Sequence, residues 1–202
     1  MPQTLKPDVR QRIEAAALVV FARHGFHGAS MAAIAREAGV STGNVYRYVD
    51  GKQALFDTVI DDAFVARFQD LLDARVASLA SLRDMRELDT SASERQAELL
   101  DFLIAHRLEV VVLLDRCDGT AQEGFGPAFV RRLAERALSA MGGPLPPTAR
   151  FVVERIFDGT RRTLVAILEH HEDPAEIRAA FRTFWSFQLA GLAGLRHEVS
   201  HV

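Results

Sequence analysis

The stretch from Ser30 to Lys52 constrains the fold of this chain more than any other. It reads Ser-Met-Ala-Ala-Ile-Ala-Arg-Glu-Ala-Gly-Val-Ser-Thr-Gly-Asn-Val-Tyr-Arg-Tyr-Val-Asp-Gly-Lys, two short helical patterns broken at Gly39-Val40-Ser41. Ser30 can cap the first pattern, Met31 to Ala38, by accepting a bond from an early backbone N–H. Ile34 and Ala38 share one face above Met31, and Ala35 is small enough for a second helix to approach. Gly39 supplies the positive φ that ends a helix. Val40 is expected to plug the gap, and Ser41 to cap the next element. That element is a helix of about seven residues, with Val45 and either Tyr48 or Val49 turned inward. Thr42, Gly43, Asn44 and Arg47 then stay outside, near its N-terminal end.

This is the sequence form of a helix-turn-helix, and so polar a second helix has no use in a core. Its N-terminal residues suit the major groove of double-stranded DNA. Asn can pair with adenine, Arg with guanine or phosphate, and Gly43 lets backbone come close. Asp50-Gly51-Lys52 opens a further helix, whose free N–H groups and Lys52 form a phosphate site. The expected DNA-contacting set is therefore Ser30, Thr42, Gly43, Asn44, Tyr46, Arg47, Tyr48 and Lys52.

Upstream lies Ile13-Glu-Ala-Ala-Ala-Leu-Val-Val-Phe21-Ala-Arg-His-Gly25-Phe26. With the helix-turn-helix it resembles the TetR family of transcriptional regulators, from about Arg10 to Phe56. The resemblance runs through the Ile-x-x-Ala-Ala-x-x-x-Phe run, the Gly25-Phe26 pair, Ile34-Ala35 and Ala38-Gly39-Val40-Ser41. It continues through Gly43-x-x-Tyr46, Lys52 and Leu55-Phe56. Glu14 stands where that family usually has an apolar residue, and Val49 where it has Phe. Gly51 replaces a usual Ser. Asp50 replaces a frequently basic residue, and its carboxylate would repel a phosphate.

The resemblance implies an all-α fold of about nine helices and an Ω-shaped homodimer. A three-helix DNA-binding head (residues 1–52) would precede a six-helix body for ligand binding and dimerisation (residues 53–202). It implies a ligand-responsive regulator, most members being repressors, which binds a palindromic operator and leaves it when an effector shifts the heads. The expected partners are operator DNA, a small-molecule effector and a second copy of the chain.

Charge is placed to suit contact with DNA at one end. Through Lys52, seven basic residues face four acids, a net +3, which leaves −6 on the rest of a chain whose total is −3. So modest a head charge means few phosphate contacts and reliance on dimerisation for affinity. Cys117 is the only cysteine, so no intrachain disulfide forms, as suits the cytoplasm. No apolar run reaches ~18 residues and no secretory signal pattern opens the chain, so neither membrane nor export is expected.

In the body, helical patterns run from Lys52 to about Leu82, Glu94 to Cys117 with a break near His106, and Phe125 to Met141. Two more run from Thr148 to His171 and from Asp173-Pro174 to about His197. Arg83 to Ser93 reads as a loop. The last two helices are the dimer candidates. The expected interface is Ile156, Thr160, Thr163, Ile167, Ile177, Phe181, Phe184, Gln188, Gly191 and Leu195, although such stripes can equally face the chain's own core. Ten of the 13 Phe residues lie after position 60, as does the sole Trp185. A Phe-rich body suits an apolar or aromatic ligand, with plain core packing as the alternative for any one ring. Candidate ligand contacts are Phe64, Phe68, Phe102, His106, Gln122, Phe125, Phe129 and Phe157, with Arg107 as a further polar group.

Other motifs carry less. His197-Glu-Val-Ser-His201 matches the H-E-x-x-H pattern of zinc proteases, but it lies in a terminal tail that would fray, with no third ligand beyond. His170-His171 marks a helix end that favours positive charge. Cys117 beside Asp118 makes a poor redox sensor, since a carboxylate raises a thiol pKa. No phosphate-binding loop, dinucleotide fingerprint or nucleophile elbow is present, so no cofactor, metal or catalytic residue is expected, and no enzyme. The rival from another class is an interaction adaptor whose head no longer reads DNA, supported by the low +3 and Asp50.

Overall fold

A computed structural model of the chain describes residues 6–80, 91–140 and 146–199, and over them the chain is helical, with ten helices. Two compact units form, one from Met1–Phe68 with Leu108–Phe125, the other from Gln69–Arg107 with Gly126–Val202.

In the first unit, α1 (Pro7–Gly28) starts with proline in its first turn, where the missing N–H costs nothing. Ile13, Ala17, Val20 and Phe21 recur on its buried face. Gly25 breaks the helix at φ +69°, a conformation that a side chain disfavours. The break frees the next amide, and Phe26 N–H donates to the Arg116 carbonyl at 2.9 Å. Two short helices follow, α2 (Met31–Glu37) and α3 (Thr42–Val45), then α4 (Lys52–Val59). The core between them is aromatic. Phe21 and Phe56 are fully buried with ring centroids 5.4 Å apart, edge to face, and Phe26 meets Phe56 at 5.3 Å. Phe21→Ala should therefore destabilise this unit by about 3–5 kcal/mol, as large buried aromatics do when truncated. Chemical denaturation followed by circular dichroism reads that loss; a shift below ~1 kcal/mol would place Phe21 outside the cooperative core.

The helix expected from Lys52 to Leu82 is in fact two. Ile60 leaves helical geometry at φ −123°, ψ 69°. Asp61 then caps α5 (Asp62–Ala80), its carboxylate accepting from Phe64 N–H at 2.7 Å. This break turns the expected nine helices into ten. The apolar period runs on through Ile60 and hid it. Leu82 and most of the expected 83–93 loop lie outside the described residues.

α6 (Ser91–Ala105) begins three residues before the expected Glu94, and α7 (Arg107–Asp115) follows after a break at His106, where one was expected. In α7, five successive residues from Val110 to Leu114 are buried, so this stretch of the helix is covered on every side. Cys117 follows, its Sγ within 3.3 Å of the Leu113 carbonyl and 3.2 Å of that of Gln122. Burial first, and then the Asp118 charge, push its thiol up to about 11, so it is nearly all thiol at neutral pH and unreactive.

The second unit holds α8 (Phe125–Ala140, entering it at Gly126), α9 (Pro147–His170) and α10 (Pro174–Val199), close to the expected spans. Asp173 caps α10 through the N–H groups of Ala175 and Glu176 at 2.9 and 3.0 Å. His171 pairs with Glu176 at 3.1 Å. Arg107 closes the other side of this corner, donating to the Leu168 carbonyl at 3.2 Å and pairing with Glu172 at 2.7 Å. Leu164, Leu168, Ile177 and Phe181 pack inward. Among the described residues, no helix is long and apolar enough to cross a membrane.

Candidate nucleic-acid interface

The turn between α2 and α3 is built almost wholly from local hydrogen bonds. Ser30 Oγ accepts from Ala33 N–H at 3.1 Å and opens α2. Gly39, at φ +65°, closes it. Gly39 N–H donates to the Arg36 carbonyl at 3.2 Å and Val40 N–H to that of Ala35 at 3.0 Å. These two bonds are the Schellman pair, which satisfies carbonyls that a helix C-terminus leaves open. Ser41 Oγ then accepts from Asn44 N–H at 3.2 Å and opens α3. Val40 is half-exposed rather than the expected plug; the neighbouring Ala38 is the buried residue. A smaller side chain lets the two helices sit closer.

α3 is shorter than the seven residues expected. Regular helix spans Thr42–Val45, and the chain continues in tighter turns, Arg47 N–H bonding Asn44 and Tyr48 N–H bonding Val45. Gly43, Asn44 and Val45 are weak helix formers, so the segment holds its shape through caps and burial. Val45 is fully buried and Val49 nearly so, which settles the inward pair. Tyr48 is half-buried, and its hydroxyl accepts from Lys6 N–H at 3.2 Å.

The outward set is as expected. Tyr46 is 55% exposed and Arg47 is exposed. Thr42 and Asn44 are half-exposed, and a Cβ on Gly43 would meet nothing within 4 Å. Ser30 is exposed at the start of α2, its oxygen occupied as a cap. Lys52 has a different setting from the one the sequence suggests. Its Nζ donates to the Phe26 carbonyl at 2.6 Å and the Ala29 carbonyl at 3.0 Å, and it lies 4.4 Å from the centre of the Phe26 ring. The ammonium thus neutralises the C-terminal end of α1. Arg12 makes a similar bond at the end of α2, Nη2 to the Ala38 carbonyl at 2.5 Å. Neither bond has a local sequence signal, since 23 or more residues separate the partners.

Residues 13–59 match the family model of bacterial regulatory proteins, tetR family. The match covers the head alone, and over it the chain is similar to TetR-family regulators. Among curated proteins, this chain is similar to the HTH-type transcriptional regulator UidR of Escherichia coli K12. The two are 35% identical over 89 residues, which is 40% of this chain and 45% of UidR. It is also similar to the HTH-type transcriptional regulator BetI of Vibrio atlanticus, 43% identical over 58 residues, 28% of this chain and 29% of BetI. The chain thus spans less than half the length of these relatives. A tetR-family transcriptional regulator from Streptomyces coelicolor aligns over 97% of this chain and 85% of that one, with TM-score 0.43 and 20% identity.

Beyond the head, the expected ligand contacts fall into two groups. Phe64, Phe68 and Phe125 stack in the first unit, with centroids 6.5 and 6.0 Å apart, and Gln122 lies 3.5 Å from the Asp62 carboxylate. In the second unit Phe102 meets His106 at 4.6 Å, while Phe129 and Phe157 are buried.

The expected dimer residues also divide. Thr160, Ile177, Phe181 and Gln188 are buried within their own unit, with the Gln188 amide donating to Thr160 Oγ1, so these four face the chain's own core and not a partner. Ile156 is 41% exposed, and Thr163, Ile167 and Phe184 are half-exposed. Three exposed apolar residues escaped the sequence reading: Phe151, Val152 and Phe187, the last 75% exposed. Large apolar residues at 152 and 156 are one turn apart on α9, a repeat that the inward stripe of the same helix masks. A Cβ on Gly159 or Gly191 would meet nothing within 4 Å, so both helices keep a flat outer strip. The Leu195 side chain and the full His197–His201 pattern lie outside the described residues.

Proposed function

We propose that this chain is a ligand-responsive transcriptional repressor that binds a palindromic operator as a homodimer and is released by a small apolar or aromatic effector. The carrying observation is the double-capped turn that presents Thr42, Gly43 and Asn44 on α3, and Tyr46 and Arg47 in the turn after it, toward the outside. A cap at each helix start and a Schellman stop between them fix the angle of a polar segment that the core does not use. Such a segment reads base edges in a major groove, and two copies related by a twofold axis read successive grooves. Lys52 serves in this reading through its place at the start of α4, whose backbone N–H groups can meet a phosphate. Ser30 and Tyr48 flank the reading surface.

The division of labour puts residues 1–52 on DNA and residues 53–202 on ligand and partner. Exposed Val152 and Ile156 on α9 and exposed Phe187 beside half-exposed Phe184 on α10 support the dimer, because exposed large apolar side chains favour a covering partner. The Phe64–Phe68–Phe125 stack and the Phe102–His106 pair supply aromatic faces for an effector. Effector and operator then oppose each other reciprocally, and the site of action is the cytoplasm.

The test is a selection of genomic fragments by the purified chain at ~100–200 mM salt, where nonspecific binding fades. Enrichment of one palindrome supports the repressor and gives its half-site spacing. Failure to enrich any duplex, with and without cell-extract metabolites, would favour the adaptor.

A further inference from the structure

Arg12 sits on α1, 26 residues from the turn that it touches. Its Nη2 donates to the Ala38 carbonyl at 2.5 Å and lies 3.5 Å from the Gly39 carbonyl. Ala38 ends α2, and its carbonyl is one of those that a helix C-terminus leaves open. The Schellman pair takes the carbonyls of Ala35 and Arg36; Arg12 takes that of Ala38, two residues further on. The approach is close, since a Cβ on Gly39 would come within 3.2 Å of the same nitrogen. The guanidinium therefore rests on the turn itself, at the negative end of the α2 dipole.

The position matters because α3 cannot hold itself in place. Four regular residues are too few to be stable alone. Its direction is set by its start at Ser41, by buried Val45, and by whatever fixes Ala38 and Gly39. Resting on the reading under Proposed function, we propose that Arg12 is a positioning residue for sequence discrimination. It clamps the turn to α1, so that α3 meets the groove at one fixed angle, and it spends its charge on the protein rather than on phosphate.

The probe is the palindromic duplex that the wild-type chain selects, alongside the same duplex with one half-site base pair changed. In Arg12→Ala, discrimination between the two should fall about tenfold per head, because a tilted α3 misplaces the base contacts. Binding to unrelated duplex and the salt dependence of binding should stay as in wild type. Arg12→Lys, whose ammonium still reaches one carbonyl, should recover part of the discrimination. A phosphate contact behaves differently: both duplexes weaken together, and the slope of log affinity against log salt falls by about 0.9 per head. That result, unchanged discrimination, or an equal loss on both duplexes with a lowered melting temperature would each overturn the proposal. A wild-type chain that selects no duplex overturns the parent reading and takes this one with it.

Discussion

Arg47→Ala and Tyr46→Ala should each abolish specific operator binding while leaving the chain folded. Both residues lie exposed in the turn that follows α3, Tyr46 at 55%, so neither belongs to the buried core. What is lost lies in the complex. A good side-chain contact to a base edge is worth about 1–3 kcal/mol of discrimination, and a twofold dimer makes each contact twice. The expected loss is thus about 2–6 kcal/mol, or roughly thirtyfold to more than ten-thousandfold in affinity. Titration of the selected palindrome at fixed salt measures it, with thermal melting as the folding control. Operator binding retained in both variants would remove α3 from the interface.

Phe187→Asp should convert the proposed homodimer into monomers. The ring is 75% exposed on α10 beside half-exposed Phe184, and a Cβ on Gly191, one turn on, would meet nothing in its own unit. Burying a Phe side chain contributes about 1.5–3 kcal/mol, and a twofold interface uses it twice. Replacement by a carboxylate removes that gain and adds the cost of burying two unpaired charges. The dimer dissociation constant should rise by at least about a thousandfold, read by sedimentation or light scattering across protein concentration. Operator affinity should fall with it, because one head of modest charge holds a half-site weakly. A Phe187→Asp chain that remains dimeric would place the interface on another face.

The helix-turn-helix was legible in the sequence because its bonds are local. Ser30 with Ala33, Ser41 with Asn44, and Gly39 with Arg36 each join residues three apart, and residue type decides them. The same holds for the proline-opened α9 and the aspartate-capped α10. Ile60 shows where a local signal was overridden. Asp61 is a good cap, yet the apolar period ran through it, and a period reports only that residues face a core, not that the helix is continuous.

The uses of the charged and apolar residues were not legible, because each depends on a surface brought in from far along the chain. Lys52 has the charge for a phosphate, but its ammonium settles on carbonyls of Phe26 and Ala29. Arg12 counts toward a basic head, yet it closes the end of α2. Thr160, Ile177, Phe181 and Gln188 have the right period for an interface, but packing turned them inward and left Phe151, Val152 and Phe187 outside. The aromatic ligand candidates read as one set and fall into two units. The sequence by itself determined the serine-capped starts and the glycine stop of the helix-turn-helix, since those bonds span a few residues. Only the tertiary structure decided which cation meets a carbonyl and which apolar face stays open, since that depends on which helix arrives opposite.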